Sequence, residues 1–357
     1  MVHYIAGYVD SRHVQDRKCS LAGIAKMDYV ISCLASITAY EVYATTQTKK
    51  QVRMKRTKNV QYRLSVPSTN RYGFYFDRFL GIVQLIIYLL RVPRKDTVLV
   101  YHERWYVPWV QLIHKVKKWK LAYEVEEIYL AVANHPASEI NKEISQVTQA
   151  DSYILSTVSL KDMLFLKETD VYAVCNGVYM PLYPGKKVEN EKTHIVYAGS
   201  LNPAKGAWLA IEAMKYLPAS FVLHVSGAGS EKDLATIHKL IAESNGNNNI
   251  IFEGCLSESD HLALLQKCDI GLCPANPRAA FPSKILEYMR NSLKVVSVKK
   301  SEIEQAQCAK YLFFFEDGNM EDYCKQVMKA AQTSDQDASQ CMSQMHNQFL
   351  TELKAII

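Results

Sequence analysis

Phe281-Pro282-Ser283-Lys284-Ile285-Leu286-Glu287-Tyr288-Met289, followed closely by Val295-Val296-Ser297-Val298, is the stretch on which the reading of this chain turns. Pro282 and Ser283 are turn and helix-entry residues, so a helix is expected over 283–290 and a strand over 294–298. A helix start carries unpaired backbone N–H groups and the positive end of the peptide dipoles, so it favours an anion. Lys284 adds a full positive charge there. Glu287, in the first turn, is placed to accept hydrogen bonds from a ribose diol. Together these groups suit a sugar nucleotide.

Working outward, the same kind of unit repeats upstream. Val196-Tyr197-Ala198-Gly199-Ser200-Leu201-Asn202-Pro203-Ala204-Lys205-Gly206 reads as a strand, a Gly turn and a Lys-Gly pair at a helix start. Val222-Leu223-His224-Val225-Ser226-Gly227-Ala228-Gly229 reads as the next strand with a Gly-x-Gly turn. Ile250-Ile251-Phe252-Glu253-Gly254 and Cys268-Asp269-Ile270-Gly271-Leu272-Cys273-Pro274 read as two more strands. Short apolar runs alternate with longer amphipathic ones along the whole chain, the rhythm of a parallel α/β protein. In the first half, strands are expected near 3–9, 40–46, 97–101, 121–125, 152–155 and 171–174, with helices near 20–34, 76–91, 105–118, 138–148 and 159–166. The polar, basic segment 48–75 reads as a loop, and 183–191 as a linker.

In order and spacing, residues 194–300 closely resemble the donor half of GT-B glycosyltransferases of the GT4 type (glycosyltransferase group 1), in the variant that reads Pro-Ser-Lys-x-x-Glu-Tyr. Residues 1–185 match that family only in outline, through Asn176-Gly177-Val178 and Glu124-Val125-Glu126-Glu127. The resemblance implies an α/β chain of GT-B architecture, two Rossmann-like doubly wound domains facing across a cleft. The expected division is an acceptor-binding domain over 1–185, a nucleotide-sugar domain over 186–338, and a helix over 339–357 crossing back to the first domain.

The resemblance also implies roles for particular residues. Lys205 and Lys284 would lie against the donor diphosphate, where fixed cations stabilise the charge that grows on the leaving group. Gly199 and Gly227 would admit the backbone close to the nucleotide, Glu287 would hold the ribose, and the backbone after Gly254 would meet the base. Phe281, Pro282 and Ser283 would contribute donor contacts through their backbone. Two positions depart from the family pattern: Ser200 stands where many relatives carry Arg, and Ala279 where the first of two Glu residues stands. In the first domain, Glu126 and Glu127 occupy the place of a His-Asp pair in many relatives. Glu126 is expected to orient the acceptor hydroxyl or stabilise charge at the anomeric carbon. Asp10, Ser11, Arg12, Glu127 and His102 are expected on the acceptor side.

Composition sets the bounds. The chain has 357 residues, 48% of them hydrophobic, enough for two domains. No apolar run reaches the roughly 18 residues of a membrane span; the nearest, Phe79 to Val92, reads as a buried or interfacial helix. No secretory signal is read at the start of the sequence, and the nine cysteines show no Cys-x-x-Cys, as in a reduced cytosolic protein. The net charge of +6 is uneven, +8 over residues 1–185 and −2 over the rest. Lys49 to Arg63 and Lys115 to Lys120, the latter around Trp119, concentrate the excess, and basic residues beside aromatic ones suit an anionic bilayer. No nucleic-acid motif accompanies them, and no His or carboxylate spacing suggests a metal or cofactor.

The function expected is therefore a retaining, metal-independent glycosyltransferase. Its donor would be a UDP-sugar or GDP-sugar, and its acceptor a lipid-linked or surface-polysaccharide glycan. It would be cytoplasmic, on the inner face of the plasma membrane where it meets lipid. The rival readings are a nucleotide-sugar 2-epimerase of the same fold and a non-catalytic sugar-nucleotide-binding subunit.

Overall fold

Val2–Ala6, buried along its whole length, is an inner strand of a seven-stranded parallel sheet. The computed structural model describes residues 1–10, 13–14, 16–19, 21–49, 59–68, 70–133, 135–180, 191–244, 249–275, 281–334 and 338–357. They fall into two units, 1–178 with 348–357, and 179–347.

The first unit runs β1 (Val2–Ala6), α1 (Leu21–Ile37), β2 (Tyr40–Ala44), β3 (Val60–Tyr62), α2 (Arg71–Arg91), β4 (Thr97–Tyr101), α3 (Val107–Lys117), β5 (Lys120–Val125), α4 (Tyr129–Val132), α5 (Ala137–Val147), β6 (Ser152–Leu155), α6 (Ser159–Met163) and β7 (Val171–Val174). Its strands lie in the order β3-β2-β1-β4-β5-β6-β7, all parallel. Strands covered by helices on both faces need no alternation, and β4, β5 and β6 are almost wholly buried.

The second unit runs β8 (Thr193–Ala198), α7 (Ala207–Ala213), β9 (Phe221–Ser226), α8 (Glu231–Ser244), β10 (Ile250–Gly254), α9 (Glu258–Lys267), β11 (Ile270–Cys273), α10 (Lys284–Arg290), β12 (Lys294–Val298), α11 (Ser301–Glu304), β13 (Leu312–Phe315), α12 (Met320–Gln332) and α13 (Ser339–Ile356). Its parallel sheet has the order β10-β9-β8-β11-β12-β13. The carboxyl end of α13 belongs to the first unit: Phe349 stacks on Tyr29, and the carbonyls of Ala355 and Ile356 accept hydrogen bonds from Lys120 Nζ and Ser152 Oγ.

In each sheet the chain winds outward in both directions from a central pair, β1 and β4 in one, β8 and β11 in the other. Open sheets of this kind bind ligands at the carboxyl ends of strands beside that reversal. Gly7 and His102 follow β1 and β4, and Gly199 and Pro274 follow β8 and β11.

Three readings of the first half are corrected. The segment expected to be a loop contains β3, whose Val60 pairs with Val42; three residues are too few to show a period. It also contains the first turn of α2, which starts at Arg71 because the Asn70 side chain accepts the Gly73 N–H at 2.8 Å. Arg63 is not part of a basic surface. Its guanidinium is buried, 2.5 and 3.1 Å from the two carboxylate oxygens of Asp77 on α2 and 2.8 Å from the Thr45 carbonyl. Likewise Trp119 is buried, stacked on His114 with ring centroids 5.0 Å apart. The basic residues 50–58 lie outside the described residues.

Candidate functional site

At the carboxyl ends of β8 and β9 the backbone is bare. Gly199 and Gly227 have φ of +141° and +150°, and a side chain on Gly227 would place its Cβ 1.7 Å from the Gly199 carbonyl oxygen. A Cβ on Gly199 would sit 3.1 Å from Lys284 Nζ. Glycine is needed at both positions for backbone angle, and at Gly227 for space as well. The Gly227 N–H donates to the carbonyl of Gly254, which the Ser226 hydroxyl also reaches. So Gly199, Gly227 and Gly254 form one continuous edge of the sheet.

Lys284, the first residue of α10, extends its ammonium over the ring of Tyr197, 4.0 Å from the centroid. Among the described residues no carboxylate pairs with it. Burial, with the nearby charge of Lys205, pushes its pKa down to about 8. Lys205 ends a short 3₁₀ turn, Pro203–Lys205, entered through Asn202, whose side chain accepts the Ala204 N–H. The Tyr197 hydroxyl donates toward the carbonyls of Ser200, at 2.6 Å, and Lys205, at 3.1 Å. One tyrosine thus seats one lysine and fixes the backbone that carries the other. Two ammonium groups near each other, with no carboxylate paired to Lys284 among the described residues, concentrate positive charge at this edge of the sheet.

Ser200 is exposed, its hydroxyl 3.5 Å from the Asn202 N–H. Phe281 is buried, while Pro282 and Ser283 lie at the surface ahead of α10, and Ser283 makes no side-chain cap. Ala279 lies outside the described residues. Glu287 is partly exposed, its carboxylate 3.2 Å from His261 Nε2 on α9. That hydrogen bond raises the pKa of His261. Tyr288, the next residue, is buried. Its hydroxyl accepts the Ala198 N–H at 2.9 Å, and its ring lies so close to Gly271 that a Cβ there would come within 2.2 Å.

In the first unit the carboxyl end of β5 carries a buried polar cluster. The Tyr4 hydroxyl donates to Glu124 at 2.5 Å, and Lys26 on α1 donates to Glu126. Burial pushes the Glu124 carboxyl up to about 7, with the negative charge of Glu126 adding to it and Lys26 opposing it. Burial alone would depress Lys26, but the charges of Glu126 and Glu124 and the hydrogen bond to Glu126, with Cys175, together outweigh it and raise the ammonium pKa. Glu126 is the partly exposed member, so the cluster presents one carboxylate outward on a lysine support.

Glu127 is half-buried. His102 is buried, 3.5 Å from Glu143, which accepts the N–H groups of Tyr129 and Leu130 and so caps α4. Burial lowers the His102 pKa to about 4, leaving a neutral ring. Asp10 is tied to Tyr62 on β3: its N–H donates to the hydroxyl, and the hydroxyl donates to its carboxylate. Ser11 and Arg12 lie outside the described residues.

Two cavities open at this edge of the first sheet. One, of about 320 Å³, is lined by Gly7, Thr45, Arg63, Arg78, His102 and Tyr129 among others. The other, of about 680 Å³, is walled by Arg78, Glu103, Arg104, Trp105, Tyr129 and Lys142. Arg78, Glu103 and Tyr129 belong to both, and Arg78 pairs with Glu103 at 2.6 Å.

Sequence reading passed over Tyr197, His261, Lys26 and Tyr4. Only Tyr197 lies inside a quoted segment. Lys26 and Glu126 are 100 residues apart, and no local pattern joins them.

Comparison with known proteins agrees with this geometry. The structure of an E. coli protein described as "Trehalose-6-phosphate from E. coli bound with UDP-2-fluoro glucose" superposes with a TM-score of 0.66 at 9% identity, covering 98% of this chain and 95% of that one. The apo form of the lipopolysaccharide outer core galactosyltransferase WaaB gives 0.67 at 12% identity, over 99% and 98%. Anabaena HepE in complex with UDP and glucose gives 0.64 at 12% identity, over 99% and 94%. No curated protein matches the chain in sequence. Two Rossmann-like units of this order are the GT-B architecture, and the chain has that fold. Its second unit carries the family signature: residues 183–344 match the family model described as "Glycosyl transferases group 1".

Proposed function

We propose that this protein is a retaining glycosyltransferase that moves a sugar from a UDP-sugar to a lipid-linked or surface-polysaccharide glycan. The observation that carries the reading is the Lys284 ammonium, with no carboxylate partner among the described residues, poised beside the bare backbone of Gly199 and Gly227, with Lys205 close by. A nucleoside diphosphate brings a compact double charge to such a place and gains more as its bridging oxygen leaves. Two lysines then supply the charge stabilisation that a divalent metal gives elsewhere, so the reaction proceeds without one. The departing phosphate oxygen takes the acceptor proton on the same face, a route unlike the paired carboxylates of retaining glycosidases. UDP is favoured over GDP because two of the structural neighbours are described with UDP or a UDP-sugar bound.

Glu287 serves the ribose in this reading, with His261 holding its carboxylate in position. Glu126, braced by Lys26, is the group of the first unit assigned to the acceptor hydroxyl or to the positive charge at the anomeric carbon. A melting-temperature panel of UDP, GDP and ADP tests the donor assignment: a ligand that binds only the folded chain raises its melting temperature by mass action. UDP alone should raise it, and Lys284→Ala and Glu287→Ala should abolish the rise. A shift by no nucleotide, or an unchanged shift in both variants, sinks the reading.

A further inference from the structure

Helix α2 has two unlike faces. Asp77, Gly81, Leu85, Tyr88 and Leu89 are buried on one. On the other, Tyr72, Phe76, Phe79, Val83, Ile87 and Leu90 recur at helical spacing and are exposed, Tyr72 at 86% and Phe79 at 64%. Helix α3 and the residue two before it repeat the arrangement: Trp105, Trp109, Leu112 and Val116 are exposed at the same spacing. The two helices are pinned together at both ends. Arg78 on α2 pairs with Glu103 just ahead of α3, and Lys117 on α3 donates to the Leu90 carbonyl at 2.8 Å. The two apolar stripes therefore lie side by side, wider than the scattered apolar residues usual on a soluble surface.

The charge around them has one sign. Residues 64–120 contain ten Lys and Arg against three acids. Each acid is paired: Asp77 with Arg63, Asp96 with the amino terminus, Glu103 with Arg78. The exposed remainder is cationic, with Arg71, Arg91, Arg94 and Lys95 at the ends of α2 and Lys115 and Lys118 at the end of α3. Helix α2 is long and apolar enough to cross a membrane, but its inner face packs into the first unit and carries Asp77, so insertion would strip the core and drag an ion pair into hydrocarbon.

We propose that α2 and α3 form an in-plane docking face for an anionic lipid bilayer. The apolar stripes enter the boundary between headgroups and acyl chains, and the flanking Lys and Arg meet lipid phosphates. This deepens the acceptor reading above and rests on it only for its purpose. Arg78 and Trp105 also wall the 680 Å³ cavity, so docking brings that cavity to the lipid surface. Lys115 and Lys118, from one of the basic patches singled out in the sequence, thereby flank a face whose core is apolar.

Flotation of the whole protein with vesicles tests this without any sugar transfer, so it and the donor reading can fail separately. Vesicles of equal parts phosphatidylcholine and phosphatidylglycerol should carry the protein upward, and phosphatidylcholine alone should hold it about tenfold or more less tightly. The combined variant Phe79→Ser, Val83→Ser, Leu112→Ser should stay at the bottom of the gradient with an unchanged circular dichroism spectrum and urea midpoint. Lys115→Glu with Lys118→Glu should weaken binding to the anionic vesicles only. The proposal is overturned if the wild type floats with neither vesicle or if the serine variant floats as well as wild type. It is equally overturned if light scattering shows a wild-type dimer that the serine variant breaks, since the stripes then cover a second copy.

Discussion

Replacing Lys284 by Met should make the empty protein more stable while removing its response to nucleotide. The ammonium titrates at about 8 instead of 10.5, so keeping it charged near neutral pH costs the fold on the order of 3 kcal/mol. Lys284 is half-buried, and solvent screening brings that to about 2 kcal/mol. The cation–π contact with Tyr197 is lost, returning about 0.5–1 kcal/mol, while Met retains most of the methylene packing. The net expectation is a gain of roughly 1 kcal/mol at pH 7, seen as a melting point about 2–4 °C higher. The sign with pH is also set. Between pH 8 and 10.5 the unfolded chain holds the proton and the folded chain has released it, so wild-type stability rises through that window. The variant lacks that rise, and the two should converge. Urea or thermal unfolding across pH 7 to 10.5, with and without UDP, measures all of this. A variant less stable than wild type at pH 7, or one still stabilised by UDP, refutes the reasoning.

Nucleotide affinity in the wild type should fall as pH rises above about 8, by at most about tenfold per unit, because binding must then recapture the Lys284 proton; calorimetry in buffers of different ionisation enthalpy would show the uptake. Gly227→Ala should cost about 3 kcal/mol or more and remove UDP binding, since its Cβ falls 1.7 Å from the Gly199 carbonyl oxygen; chemical unfolding reads the first effect and titration the second. Asp77→Ala should cost about 3–5 kcal/mol by stranding the buried Arg63 guanidinium, while Arg63→Met with Asp77→Leu should recover most of it. In Glu287→Gln the imidazole of His261 should titrate lower than in wild type, followed by NMR. The wild-type pair stabilises the fold below the ordinary histidine pKa, an effect lost as pH rises through the raised value of His261, and the variant should lack that dependence.

The second unit was legible because its signals are local. A strand, a glycine turn and a cation within a dozen residues describe β8 with Gly199 and Lys205, and the Pro-Ser-Lys-x-x-Glu-Tyr run describes the entry to α10. The first unit was legible only as alternating elements. Its chemistry depends on groups brought together from far apart: Tyr4 with Glu124, Lys26 with Glu126, Arg63 with Asp77. Arg63 looked like one more base in a basic segment, and no window of sequence reveals that its partner waits on the next helix. The same holds for Trp119, which reads as an interfacial aromatic until the packing of His114 over it is known. Helix α2 was half-read for another reason. Its apolar residues occupy both faces, so the pattern alone does not say which face the fold covers.

Tyr288 and Gly271 have a consequence for how this sequence can vary. The ring of one packs closely against the backbone of the other, and its hydroxyl accepts the last amide of β8. Neither can drift alone: a larger residue at 271 evicts the ring, and a phenylalanine at 288 leaves the Ala198 amide without its acceptor. Descendants of this chain should therefore exchange the two positions only as a matched couple, and the tyrosine beside Glu287 is an heirloom of sheet geometry.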